Sequence, residues 1–147
     1  MSIFGIRSGK NDWRLRLATW ISYFETSDFP KQFPYTARSP TLRKGITYES
    51  IEDVNDEVDR ILQEPDTKKF GVGQSLYYQT SIICSPASLI PDWCWEMLED
   101  YNSCKKFNIP LAKNLDEASV WMLDCFNIIE SEISNCTKHQ KEKDGKG

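Results

Sequence analysis

Hydrophobic residues recur at spacings of three and four in four stretches of the chain. Residues at these spacings lie on one side of an α-helix, so each stretch predicts a helix with an apolar face. The predicted helices cover about residues 12–25, 50–64, 91–107 and 115–136. Pro65 ends the second of them, because the residue before a proline is pushed out of helical geometry.

The last two predicted helices are separated by a short link, residues 108–113. Helices joined by so short a link are usually antiparallel neighbours. We therefore predict a mainly α, bundle-like single domain, residues 1–137, built on a long C-terminal antiparallel helical hairpin. The polar and charged residues 138–147 are predicted to be a disordered tail.

Residues 70–84 fit two patterns. Apolar and polar positions alternate there as in a strand, but the same residues also fit helical turns. We favour a short helix from about Gln74. The alternative is an α+β fold with a small two-stranded element near 46–48 and 76–83. The glycines of the segment Gly71–Ser75 resemble those of a phosphate loop, but the Lys-Ser/Thr ending is missing, so a turn is predicted.

A proline-rich stretch, residues 27–45, contains three aromatic residues. Because a flexible spacer does not need aromatic rings, we expect an ordered loop that packs on the body or on a partner. Phe33, Tyr35 and Arg38 lie in this stretch, and Tyr and Arg are enriched at the energetic centres of interfaces. These three residues are our second candidate for a partner-binding surface.

Charge is distributed unevenly around the net value of −4. Residues 1–50 carry eight bases and four acids, whereas residues 51–137 carry six bases and sixteen acids. The second predicted helix is the most acidic element and contains Glu52, Asp53, Asp56, Glu57 and Asp59. We predict that these five carboxylates form the main partner-binding surface, complementary to a basic surface on another protein.

Catalytic and metal-binding patterns are sparse. The one histidine, His139, falls in the predicted disordered tail, where it could not be held rigidly enough for acid/base catalysis. The five cysteines lie ten or more residues apart, unlike the close pairs of zinc sites. We therefore predict free thiols, no metal, no cofactor and no catalytic residue. Free thiols, together with an N-terminus unlike a secretory signal, favour the cytoplasm.

Together these features predict a non-enzymatic cytosolic module that occupies the surface of another protein, as an inhibitor, an immunity protein or a phage-type counter-defence protein. One alternative is a small regulator that binds DNA or RNA through the basic residues 1–50, although the negative net charge disfavours nucleic acid. Another is a carboxylate- or metal-dependent enzyme, using acids such as Glu96 and Asp100. No apolar run reaches the length of a membrane span. An apolar stripe on the C-terminal hairpin is also compatible with a homodimer.

Overall fold

The computed structural model describes residues 13–25, 32–107 and 120–146. Within these ranges the chain forms six α-helices, a two-stranded sheet and a 3₁₀ turn at Pro86–Leu89. The elements are α1 (Trp13–Phe24), β1 (Tyr35–Arg38), β2 (Gly45–Tyr48), α2 (Ile51–Gln63), α3 (Pro65–Phe70), α4 (Val72–Ile83), α5 (Asp92–Lys106) and α6 (Val120–Lys146). The predicted mainly α fold class, with a small β element, is confirmed.

Helix α1 lies at the centre of the core. It packs against α4, α5 and α6, and its residues Leu15, Leu17, Ala18 and Trp20 are almost completely buried. A helix that is apolar nearly all round is stable only when neighbours cover several of its sides. The core therefore forms around α1.

The two strands form a local hairpin rather than the pairing of the alternative α+β fold. Tyr35 pairs with Tyr48 and Arg38 with Gly45, while residues 76–83 belong to α4. The strand that this alternative placed at 46–48 is thus present but pairs with β1, and the favoured helix from about Gln74 is confirmed. A partner reached through a six-residue turn closes a shorter loop than one about thirty residues away, and this lowers the entropy lost on pairing.

Pro65 and Gly71 divide the middle of the chain into three successive helices. Pro65 ends α2, as predicted, and is also the first residue of α3. Gly71 has a φ of 95°, in the region that favours glycine, and this residue separates the end of α3 from the start of α4. The predicted turn is therefore confined to Gly71, and α4 begins at Val72, two residues before the expected start.

The contacts between α5 and α6 contradict the predicted antiparallel arrangement. Trp93 packs against Trp121, Tyr101 packs against Phe126, and Lys105 pairs with Glu130. The contacts advance in the same direction along both helices, so α5 and α6 run in the same sense where they touch. Thirteen residues separate the two helices, and they can reach roughly 40 Å, well beyond the roughly 22 Å length of α5. The predicted link and the start of the fourth predicted helix lie outside the described residues.

The expected disordered tail is also wrong. Helix α6 continues to Lys146, ten residues beyond its predicted end at Cys136. Thr137 and His139 contact aromatic side chains of α1 and α4, so the helix has packing partners beyond the end of its apolar stripe. The lysines, glutamine and glutamate in this segment are also good helix formers.

Candidate functional site

Glu57, one of the five acids predicted to bind a partner, is completely buried. Its carboxylate accepts hydrogen bonds from the hydroxyls of Ser39 (2.6 Å), Thr41 and Tyr48 (3.2 Å). Arg60 Nη2 donates to the same carboxylate at 2.6 Å. Since all of these donors are internal, Glu57 is not available to another protein, and its assignment to the binding surface was wrong.

The hydrogen bonds around Glu57 decide its protonation. Burial alone raises the pKa of Glu57, but the hydrogen bonds from Ser39, Thr41 and Arg60, with the charge of Arg60, outweigh burial and lower its pKa below the ordinary value. Burial and the neighbouring Glu57 charge raise the pKa of Tyr48 to about 12. The group at neutral pH is therefore a carboxylate anion held by a phenol, two hydroxyls and a guanidinium.

The same network fixes the hairpin turn onto α2. Ser39 Oγ accepts a hydrogen bond from Leu42 N–H at 2.9 Å while it donates to Glu57. Arg60 Nε also donates to Thr41 Oγ1 at 3.2 Å. The turn is thereby held both internally and from α2, although Leu42 at its tip remains 46% exposed.

Three of the other predicted acids lie on the surface. Glu52, Asp56 and Asp59 are exposed, and their spacing of four and three places them along one side of α2. Asp53 is half-buried and accepts a hydrogen bond from Glu49 N–H at 2.8 Å, so part of its role is to stabilise the start of the helix. Arg60, the one basic residue in the α2 sequence, pairs with Glu57 and leaves the surface carboxylates as the net charge of α2.

The second candidate surface divides in a similar way. Phe33 is 41% exposed and its ring lies 5.4 Å from that of Tyr35. Tyr35 is half-buried, and its ring stacks on that of Tyr48 with the ring centres 5.5 Å apart, so it stabilises the pairing of β1 with β2. Burial raises the pKa of Tyr35 to about 12. Arg38 is exposed at the end of β1. Phe33 and Arg38 are thus accessible to a partner, whereas Tyr35 is mainly a packing residue.

The sequence analysis missed a second buried carboxylate, Glu132 on α6. Glu132 is 3% exposed and bonds to two residues of α1: Arg16 Nη1 at 2.5 Å and Trp20 Nε1 at 2.8 Å. The side chain of Arg16 is 26% exposed. A signal was present, because Glu132 lies three residues after Ile129 and four before Cys136, on the apolar stripe of its helix.

His139 is anchored in the structure. Its Nε2 lies 2.8 Å from the hydroxyl of Tyr78, to which it is hydrogen-bonded. Its ring packs against Trp20 at 5.5 Å and Phe24 at 5.9 Å. The prediction of a non-enzymatic protein rested mainly on the assumption that this imidazole was mobile. Because His139 is held in place, that argument no longer applies, and the absence of enzymatic activity stays a prediction.

The residues of the two alternative functions are scattered. Among the described basic residues of segment 1–50, Arg14 lies over the ring of Trp13 at 4.4 Å and Arg16 is neutralised by Glu132. The other described bases of this segment are exposed on the hairpin: Arg38, Arg43 and Lys44. Arg7, Lys10 and Lys31 lie outside the described residues. Glu96 and Asp100 are exposed on α5, and among the described residues no group of three or more His, Cys, Asp or Glu side chains could hold a metal ion. The five cysteines, all among the described residues, are thiols that form no disulfide bond with one another.

Comparison of the chain with protein-family models, with curated proteins and with solved structures finds no match. No helix in the described residues combines the length and the apolar character that crossing a bilayer requires. The function is therefore inferred from the exposed and buried groups of the chain itself.

Proposed function

We propose that the protein binds another protein and contacts a positively charged surface of it through the exposed carboxylates of α2. The observation that supports this most directly is the alignment of Glu52, Asp56 and Asp59 along one side of the helix, whose one cation pairs with the buried Glu57. Complementary charge accelerates encounter and selects the partner. Such a module would act in the cytosol by occupying its partner's surface, as an inhibitor or an immunity protein does.

Exposed apolar side chains also lie on α2 and on or next to the β1–β2 hairpin. Leu42 at the hairpin turn is 46% exposed, Ile51 at the start of α2 is 44% exposed, and Phe33 is 41% exposed. Interfaces combine an apolar centre with a polar rim, because burial of apolar area supplies affinity that exposed ion pairs do not. In this proposal the carboxylates orient the partner, and these three side chains supply the apolar contact.

The Glu57 network favours a preformed surface. It joins the hairpin turn to α2 through Ser39 and Thr41, so the turn and the helix present their exposed side chains from a fixed backbone. A surface that is ordered before binding loses less conformational entropy when the complex forms. Glu57 therefore contributes to binding indirectly, by supporting the surface rather than by contacting the partner.

The test is a charge reversal with a matched control. In the first variant Asp56→Lys and Asp59→Lys reverse two exposed acids of α2, and in the control Glu99→Lys and Asp100→Lys reverse two exposed acids of α5. Proteins captured by the wild-type chain from an extract of the source organism are identified by mass spectrometry. The strongest is then purified, and its Kd is measured by calorimetry at low and moderate salt.

We expect the purified partner to have a basic surface. The α2 reversal should raise its Kd by about tenfold or more and flatten the salt dependence, because two attractive charges become repulsive. The α5 reversal should change Kd by no more than about twofold. A Kd that the α2 reversal leaves unchanged, or that both reversals raise equally, would show that the acidic side of α2 is not the binding surface.

A further inference from the structure

A groove of about 480 Å³ lies between α3, the start of α4 and the C-terminal half of α6. Its volume is within the range of about 300–1,000 Å³ that is typical of small-molecule sites. Its lining includes the titratable residues Lys68, Lys69, Lys138, His139 and Glu142. Three lysines and one glutamate give a local excess of positive charge in a protein whose net charge is −4.

An exposed aromatic ring lies beside these lysines. Phe70 also lines the groove and is 50% exposed, and Lys69 Nζ lies 5.2 Å from the centre of its ring. A planar group such as a nucleobase can stack on an exposed phenylalanine ring. The groove thus offers a cationic part and an aromatic part side by side.

The α6 wall of the groove is held in place. His139 is fixed by its hydrogen bond to Tyr78 and by ring contacts with Trp20 and Phe24. The amides of Gln74 and Asn135 add neutral donors and acceptors to the lining. A wall fixed by packing lowers the entropy lost when a ligand is bound.

We propose that this groove binds a small phosphate ester that also carries a flat aromatic group, of which a nucleotide is the common kind. Lys68, Lys69 and Lys138 pair with the phosphate, and Phe70 stacks on the aromatic group. Inorganic phosphate alone would leave most of the groove filled with water. The site uses α3, α4 and α6 and is independent of the protein-binding surface proposed on α2.

The chain supplies a matched control for this site. At the end of α5, Lys106 Nζ lies 5.5 Å from the ring centre of Phe107, which is 65% exposed. This pair repeats the geometry of Lys69 and Phe70 but lies outside the groove. Lys69→Gln and Phe70→Ala are therefore compared with Lys106→Gln and Phe107→Ala. All four residues are exposed, so each variant should keep its thermal midpoint within about 3 °C of the wild type.

Binding is measured by calorimetry and by NMR titration with ADP, adenosine, ribose 5-phosphate and inorganic phosphate. ADP should bind most tightly, because it alone offers both phosphates and a base. Lys69→Gln should weaken ADP binding by about twofold to fivefold, and Phe70→Ala by about fivefold or more. Neither α5 variant should change it.

Three results would overturn the proposal. The first is the absence of heat or chemical-shift changes with millimolar ADP. The second is ADP binding no tighter than that of inorganic phosphate, or weakened equally by the groove and α5 variants. The third is binding of a single-stranded oligonucleotide without binding of ADP, which would make the groove part of a nucleic-acid surface instead.

Discussion

Replacement of Gly73 by alanine tests how closely α4 packs on α1 and α6. A Cβ atom added at Gly73 would lie 2.4 Å from Trp20 Nε1 and 2.5 Å from Glu132 Oε1. Heavy atoms in good contact are about 3.5–4.0 Å apart. Trp20 is 1% exposed and Glu132 is 3% exposed, so neither can move aside into solvent. The new methyl group must displace the hydrogen bond between these two side chains.

The expected loss of stability follows from opposing contributions. In an open helix, alanine is more stable than glycine by about 0.5–1 kcal/mol. Overpacking a buried site costs about 1–3 kcal/mol, and a buried polar group that loses its partner costs about another 1–3 kcal/mol. We therefore expect Gly73→Ala to lower the free energy of unfolding by about 2–4 kcal/mol and the thermal midpoint by on the order of 10 °C.

The measurement is urea unfolding followed by circular dichroism, with Gly145→Ala as the control. Gly145 is also helical, but a Cβ added there meets nothing within 4 Å, so that variant should match or slightly exceed the wild type in stability. In a Trp20→Phe background, Gly73→Ala should cost less because the clashing indole edge is gone. A Gly73→Ala protein as stable as the wild type would falsify the close packing of α4 on Trp20 and Glu132.

Three further predictions concern buried groups. Glu57→Gln should lower the free energy of unfolding by about 1–3 kcal/mol at neutral pH, because charge-assisted hydrogen bonds are lost. The folded-state pKa of Glu57 is lowered, so its contribution to stability is present above the unfolded-state pKa and is lost as the pH falls through the folded-state pKa. The difference between wild type and variant, measured by urea unfolding, should therefore shrink as the pH is lowered through the acid range. Arg16→Gln removes the cation paired with Glu132 and should lower the thermal midpoint; an unchanged midpoint would mean that the pair contributes nothing to stability. Alkylation of the native protein at mildly alkaline pH, read by mass spectrometry, should modify the half-buried Cys104 before Cys94, because burial raises the pKa of Cys94 to about 12; equal rates would contradict the packing around Cys94.

Local signals explain why the helices could be predicted and the strand pairing could not. Helix α2, expected over about 50–64, occupies Ile51–Gln63, because its apolar stripe and Pro65 act within the segment itself. The hairpin turn contains no Asn-Gly or similar signal, and its left-handed residue is Arg43, with a φ of 59°. The direction of α6 relative to α5 depends on contacts such as that of Tyr101 with Phe126, which no local pattern encodes.

The acidic residues show what periodicity could have revealed about the candidate site. Glu57 lies three residues after Val54 and four before Ile61, within the apolar stripe of α2. An acid at such a position must be buried with its own donors, because an unpaired buried charge is strongly unfavourable. Glu52 and Asp56 lie off the stripe and are exposed, as predicted. The donors themselves, such as Ser39 on the hairpin, could be found only from the fold.

The two buried carboxylates also determine which charges remain on the surface. Glu57 pairs with Arg60 and Glu132 with Arg16, so two partly exposed cations are neutralised by buried carboxylates. Among the exposed charges, the carboxylates of α2 and the lysines around the groove at α6 lie on different elements. Because different residues form the two surfaces, reversal of the α2 acids should leave ADP binding unchanged, and Lys69→Gln should leave partner binding unchanged. If either variant altered both ADP binding and partner binding, the two sites would have to be parts of a single extended binding surface.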